Sequence, residues 1–231
     1  MNAFARRVIA IAIVCPVAVS AVSAQAATPR DLLVRAAFVA RDKTQALGFI
    51  GDALVDTRNT LAVNANDHEA RLQQALAIGY RGQINRSLPD AKAARAALES
   101  LAAADPRNAE TETALAGWHL TAVGDLGGLL ARAMLGASKA TGLAMLGEAV
   151  ALGGNRAFFP AYAALIRIRI DPDDRAAALA LAQRAAAAAA PTPLDRLLQG
   201  AAQKLIAPLK AGDGDGAAKL AKRLLPFGQL R

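Results

Sequence analysis

Cysteine, histidine and aromatic residues are nearly missing from this sequence. Its 231 residues include one cysteine, two histidines and 4% aromatics. The cysteine, Cys15, falls in a segment assigned below to export, so the remaining chain is expected to carry no disulfide, thiolate nucleophile or cysteine metal site. His68 and His119 stand alone in sequence, neither in a His-Glu-x-x-His spacing, so no metal and no cofactor is expected. Beyond the export segment the serines are Ser87, Ser100 and Ser138, none in a nucleophile elbow, and no glycine-rich phosphate loop occurs. Asp213-Gly214-Asp215-Gly216 opens like a calcium loop. Ala217 replaces the next ligand and no Glu closes the loop, which leaves a turn and helix cap. With none of these constellations present, the expected class is binding, not catalysis.

Strand-forming β-branched and aromatic residues are also scarce, while Ala and Leu, both strong helix formers, dominate. The expected fold class is all-α. The formal net charge is +8, and removing Arg6 and Arg7 with the export segment leaves +6, a mildly basic balance. Modest charge, few aromatics and export argue against nucleic acid as a partner.

Residues 1–26 have the grammar of a cleaved signal peptide. Arg6 and Arg7 form the positive end, Val8 to Val22 is almost wholly apolar, and Ala24-Gln25-Ala26 supplies the small residues before a cut at Ala27. The apolar run is shorter than the roughly 20 residues of a membrane span. Val14 before Cys15 argues against a lipoprotein, and Ala5 and Ile9 depart from a twin-arginine motif. A periplasmic location is expected, with secretion as the second choice.

Helix-start signals recur through residues 27–231. Thr28-Pro29-Arg30-Asp31 and Thr192-Pro193-Leu194-Asp195 each place Thr at the N-cap, Pro at the first helical position and a carboxylate two residues later. Asp171-Pro172-Asp173-Asp174 reads as a third start. The breaks predict helices near 30–43, 44–63, 67–86, 89–104, 109–123, 137–152, 156–170, 172–190, 193–211 and 214–225. Within 90–104, Ala91, Ala94, Leu98 and Leu101 form an apolar stripe, with Lys92, Arg95 and Glu99 on another face. Leu220, Leu224 and Leu225 are expected inward on the last helix, with Lys219, Lys222 and Arg223 outward. Small residues opposite large ones predict consecutive helices paired as hairpins.

Counting back from Pro106, Leu101, Leu98, Ala94 and Gly82 stand five, eight, twelve and twenty-four residues before it, and Ala103-Ala104-Asp105-Pro106-Arg107-Asn108-Ala109 closes the unit. This resembles a tetratricopeptide repeat. Asn64 to His68 resembles the same junction without its Pro, whereas Asp171-Pro172 reads as opening a helix. The family's Trp, Leu and Tyr positions hold Ile78, Arg81 and Asn85, so the match covers about 45 residues. The resemblance implies a right-handed α-solenoid of about five antiparallel hairpins, a single domain over 27–231, whose concave face binds a protein or peptide. The family's carboxylate-clamp positions hold Gly79, Gln83 and Gly117, so that clamp is not expected. Tyr80, Arg81, Asn85, Trp118 and His119 are the candidate partner-binding residues, with Arg81 and Asn85 expected to project together. In architecture and export the chain is also similar to helical components associated with some tripartite solute transporters, which implies a cavity near the Gly-rich segment holding or passing a small apolar or anionic solute.

The repeat pattern is interrupted near 125–136 by a Gly-rich insertion. Asp125, Arg132, Lys139 and Glu148 leave no uncharged run longer than eight residues between 120 and 152, which excludes a membrane span. Asp125, Arg132 and Lys139, seven apart, would share one helical face, the solvated stripe of a buried helix; the sharper reading is a flexible flap or lipid-touching surface. Residues 200–231 carry +4 of the basic excess. A solvated capping helix accounts for this, with peripheral contact to an acidic partner or anionic membrane as the alternative.

Overall fold

A computed structural model of the protein describes residues 27–230. The expected signal segment lies outside them. Eleven helices cover 79% of the described residues, and no strand occurs among them, in keeping with the Ala- and Leu-rich composition. They are α1 (Pro29–Phe38), α2 (Lys43–Val63), α3 (His68–Asn85), α4 (Leu88–Ala104), α5 (Ala109–Leu126), α6 (Gly128–Leu135), α7 (Lys139–Leu152), α8 (Phe158–Ile170), α9 (Arg175–Ala187), α10 (Pro193–Lys210) and α11 (Gly214–Leu224).

The two Thr-Pro starts behave as their chemistry dictates. Thr28 and Thr192 each accept from the amide three residues on, and Asp31 and Asp195 each reach back to the N-cap amide, forming reciprocal capping boxes on α1 and α10. Asp213 caps α11 by accepting from the Gly216 amide at 2.7 Å.

Asp171-Pro172 does something else. Asp171 closes α8 as its C-cap, and α9 starts only at Arg175. Its carboxylate accepts from the Asp173 amide at 3.1 Å and its carbonyl accepts from the Asp174 amide at 3.1 Å. The same pair of bonds closes α2 at Asn64, which accepts from Asn66 and Asp67, and α4 at Asp105, which accepts from Arg107 and Asn108. Asn64, Asp105 and Asp171 have φ within 3° of one another, at −136, −139 and −139°. One Asx turn is thus used three times, and the reading of Asp171-Pro172 as a helix start is corrected.

The Gly-rich stretch holds a helix that periodicity did not predict, the eight-residue α6. Gly127 (φ 79°) and Gly136 (φ 67°) bracket it in left-handed conformations that a side chain would strain. The chain therefore turns twice, and Asp125, Arg132 and Lys139 sit on three different helices instead of one face. Leu129, Leu130 and Met134 on α6 stay exposed, Leu129 at 90%.

Helices next to each other in sequence pack together from α1 to α5 and from α7 to α11, and α5 packs principally on α7 across the α6 detour. Small residues set the close approaches. A Cβ on Gly79 would meet Ala94 Cβ at 3.3 Å, one on Gly82 would lie 3.0 Å from Asp90 Cβ, and one on Gly142 would lie 2.6 Å from Leu120 Cγ. Ala94, Leu98 and Leu101 are buried as the stripe required. In α11, Lys219, Lys222 and Arg223 face solvent, Leu225 is buried and Leu220 and Leu224 are half-buried.

The two ends of the described chain meet. The Phe227 amide donates to the Ala37 carbonyl at 2.8 Å, Arg41 donates to Gln229 Oε1 at 3.3 Å, and the Phe227 ring meets Tyr80 edge-on with centroids 4.9 Å apart. Phe227 and Leu230 thereby join the apolar cluster of α1, α2 and α3.

Candidate functional site

The inner sides of α1, α3, α5 and α8, with parts of α4 and the 222–230 segment, line a central, partly open cavity of about 750 Å³. Its walls are apolar, with Leu33, Leu72, Leu76, Trp118, Ile166 and Phe227 among the contributors. A volume of this size suits one small molecule.

One end of the cavity is closed by a chain of ion pairs between helix starts. Arg30, on the first turn of α1, donates from Nε to Glu69 Oε1 at 2.9 Å and from Nη2 to Glu69 Oε2 at 2.7 Å and Glu110 Oε2 at 2.6 Å. Arg156, just before α8, donates from Nη1 to Glu110 Oε1 at 2.5 Å and from Nε to Asp195 Oδ1 at 2.9 Å. Asp195 also accepts from the Phe158 amide at 3.2 Å and from the Thr192 amide at 3.1 Å, and its side chain is fully buried. Burial alone would push the Glu110 carboxyl up, but hydrogen bonds and attraction from Arg30 and Arg156 hold it below its ordinary value. At Asp195 burial is likewise outweighed, here by Thr192 and Arg156. These carboxylates sit at the starts of α3, α5 and α10, where an anion also meets the positive helix end. The α1, α3, α5 and α10 starts and the turn before α8 therefore lie at one end. Glu110 and Leu72 face both the cavity and a shallower cleft of about 400 Å³ beyond the network, so this layer is the wall between them.

The opposite end is built from helix finishes. Asp125, near the end of α5, accepts from Arg169 on the last turn of α8 and from Gln83 Nε2 at 3.3 Å. Lys43, Arg86 and Lys222 also line the cavity and are exposed, and no ion pair engages them among the described residues. The α2 to α3 turn lies at the other end of that pair, so Lys43 opening α2 and Arg86 capping α3 belong to this one, as does Lys222, which packs against Gly228 beside the Phe227 that bonds to Ala37 on the last turn of α1.

The five candidate residues separate. Tyr80 and Trp118 line the cavity; Arg81, Asn85 and His119 do not. Arg81 points to α4, donating from Nε and Nη2 to Asp90 at 2.9 and 2.7 Å, which holds that carboxyl down, and Asn85 is exposed at the end of α3. The expectation that Arg81 and Asn85 project together into a groove is therefore corrected. The cause is the α3–α4 approach at Gly82, which brings Asp90 within reach of Arg81. His119 is 3% exposed, and its Nδ1 accepts from the Ser138 amide at 3.3 Å. Burial, then repulsion from Arg95, lowers its pKa, so the ring is a neutral packing element. Trp118 Nε1 donates to the Ala91 carbonyl at 2.9 Å, which fixes the indole in the cavity wall. Burial pushes the Tyr80 phenol up, and that of Tyr162, also in the wall, up to about 12. Both hydroxyls remain neutral near pH 7.

Gly79, Gln83 and Gly117, the positions noted for a clamp, all line the cavity. Sequence reasoning missed Arg30, Glu110, Arg156 and Asp195. The available signal was the acid on the first turn after each cap, at Glu69 and Glu110. Among the described residues no cluster of three or more His, Cys, Asp or Glu could hold a metal ion, and no helix is long and apolar enough to cross a membrane. Compared with known protein families, curated proteins and solved structures, the chain matches none.

Proposed function

We propose that this protein is an exported, non-catalytic helical-repeat module of tetratricopeptide-like architecture that holds a small, largely apolar solute in its central cavity. In this reading α1/α2, α3/α4, α5/α7, α8/α9 and α10/α11 are five hairpins, α6 is an insertion within the third, and the first helix of each of the first four pairs faces inward. The turn shared by Asn64 and Asp105, each closing the second helix of a pair, and the small-residue approaches at Gly79, Gly82 and Ala94 support the repeat architecture.

The observation that carries the ligand reading is that the cavity is closed at one end and along one side. The Arg30–Glu110–Arg156–Asp195 layer shuts one end of the cavity, and the C-terminal segment packs Phe227 onto Tyr80 along its side. A concave face used for an extended peptide has to stay open along its length, so a small solute fits this space better than the protein or peptide partner expected from the resemblance. Native mass spectrometry of protein recovered from the cell envelope tests this, with Ala114→Phe as the control because Ala114 lines the cavity and is only half-buried. The expected result is a bound small-molecule mass that Ala114→Phe reduces. A chain that carries no small molecule and instead captures a protein partner, equally in both forms, would replace the solute reading by the scaffold one. The intact mass of the same sample should begin at or near Ala27.

A further inference from the structure

The distribution of charge around the cavity narrows the class of molecule it holds, on the premise that the cavity is the working site. We infer that the ligand is a single-chain anionic amphiphile, such as a long-chain carboxylate, with its chain among the apolar walls and its head at the Lys43, Arg86 and Lys222 end. The cavity lining carries five cations, Arg30, Lys43, Arg86, Arg169 and Lys222, against two carboxylates, Glu110 and Asp125.

Pairing decides which of these charges are available. Arg30 is taken by Glu69 and Glu110, and Glu110 is shared with Arg156, so the closed end has no uncommitted charge to offer a ligand. Asp125 is committed to Arg169 and Gln83. Lys43, Arg86 and Lys222 remain, all exposed and without an ion pair among the described residues. A dianion with charges at both ends would find no free cation at the closed end. A cationic head would meet like charge at the open end. A wholly apolar molecule would use the walls and leave the cationic end idle. One anionic head on an apolar chain matches both the walls and the open end, because a carboxylate gains charge-assisted hydrogen bonds there while each buried methylene leaves water.

The source of such a molecule is either free solution or a bilayer. Leu126 and Leu135 line the cavity, and the α6 residues between them in sequence include the exposed Leu129, Leu130 and Met134. The shared chemistry, an acyl chain with an anionic head, is the same for both sources.

Trp118 is the only tryptophan and stands in the cavity wall, so its fluorescence reports occupancy directly. The purified full chain is titrated with straight-chain carboxylates of increasing length, below their micelle concentrations, and with the alcohols of equal length. Brominated analogues serve as contact quenchers. The expected result is saturable quenching, with affinity rising about tenfold for every two methylenes until the chain fills the cavity, and carboxylates bound more tightly than alcohols. Combining Lys43→Glu, Arg86→Glu and Lys222→Glu should abolish the preference for carboxylate while leaving alcohol binding in place. Absence of quenching at every length, or equal affinity for carboxylate and alcohol in the unmodified chain, overturns the inference. If native mass spectrometry finds a polar solute while amphiphiles give no response, this inference falls and the cavity reading survives. If no small molecule binds and Ala114→Phe behaves as the unmodified chain in both assays, both fall. Uptake from anionic vesicles, compared with uptake from solution in Leu129→Glu/Leu130→Glu, identifies the source. Slowing confined to vesicles supports the inference with a bilayer as donor, and equal rates support it with solution as donor.

Discussion

The two ends of the cavity are made from the same residue types and do different work. At the closed end, Arg30, Glu69, Glu110, Arg156 and Asp195 come from five places far apart in sequence and pair with one another at 2.5–2.9 Å. At the open end, Lys43, Arg86 and Lys222 have no such partners among the described residues. Half-buried and buried charges are tolerated when every one is answered, and removing one member strands the rest. Exposed cations cost little to keep, so they are free to be used by something else. Charge at the first end maintains the fold, whereas charge at the second is available for recognition.

Breaking the closed end should give the largest effect. Asp195→Ala removes the capping-box acid of α10, the partner of Arg156 and the acceptor of the Phe158 amide from a fully buried position. It should destabilise the protein by about 3–5 kcal/mol, measured by denaturant unfolding. Asp195→Asn should recover part of the loss, because it keeps an acceptor for the amides. Between the two ends, Ala94→Phe drives a ring into the α3–α4 crossing opposite Gly79 and should cost about 1–3 kcal/mol. An unchanged melting temperature would mean that the crossing yields more readily than its 3.3 Å approach implies.

Acid acts on the closed end without mutation. Glu110 and Asp195 titrate below their ordinary values in the folded chain. The unfolded chain therefore binds their protons first, and the stability they contribute is present above the ordinary carboxylate range and lost as pH falls through the folded values. His119 is also lowered, so a decline of the same sign begins nearer neutrality, below the ordinary histidine value of about 6.5. Glu112, raised by burial and by Glu148, opposes this trend. Melting temperature against pH should fall on acidification, and Glu110→Gln should flatten its acidic limb relative to the unmodified chain.

Arg81→Glu should cost about 1 kcal/mol, because it places a carboxylate beside Asp90 in a partly exposed pair. It should leave Trp118 quenching by any cavity ligand unchanged, which separates α3's outer charge from the cavity. The smallest effect should be that of Arg86→Glu on stability, within about 0.5 kcal/mol. A large loss there would show that the open end also maintains the fold and would remove the contrast between the ends.

Much of the helical layout can be read locally, since Thr28 and Thr192 announce their helices by a bond and a dipole three residues long. The α4 stripe is equally plain, because Ala94, Leu98 and Leu101 repeat at the helical period and all are buried. Two features escape that kind of reading. Asp171-Pro172 has the letters of a helix start, but an Asp also closes a helix when its side chain folds over the next turn, and the two uses differ only in what precedes them. The α6 helix is hidden because Asp125, Arg132 and Lys139 keep helical spacing across the gap, while Gly127 and Gly136 adopt φ values that break the helix. The closed end is harder still. Arg30 meets Glu110 across 80 residues, and nothing in either neighbourhood names the other. Tyr80 and Trp118 were identifiable because a helical register fixes which side of α3 and α5 faces inward, but the same register could not foresee that Asp90 would draw Arg81 aside.

The bond from Phe227 to Ala37 has a consequence for how the molecule comes apart. In a chain of helices packed neighbour on neighbour, the first and last elements have only one neighbour each, so exchange with solvent begins there and spreads inward. Here residues 227–230 sit on α1, with Arg41 and Gln229 beside them, and this contact ties the two segments together. Fraying is thereby converted from two independent local openings into one shared event. Amide hydrogen exchange in α1 should be slow, approaching that of α3, and truncation after Leu224 should release α1 and leave the exchange of α9 unaltered.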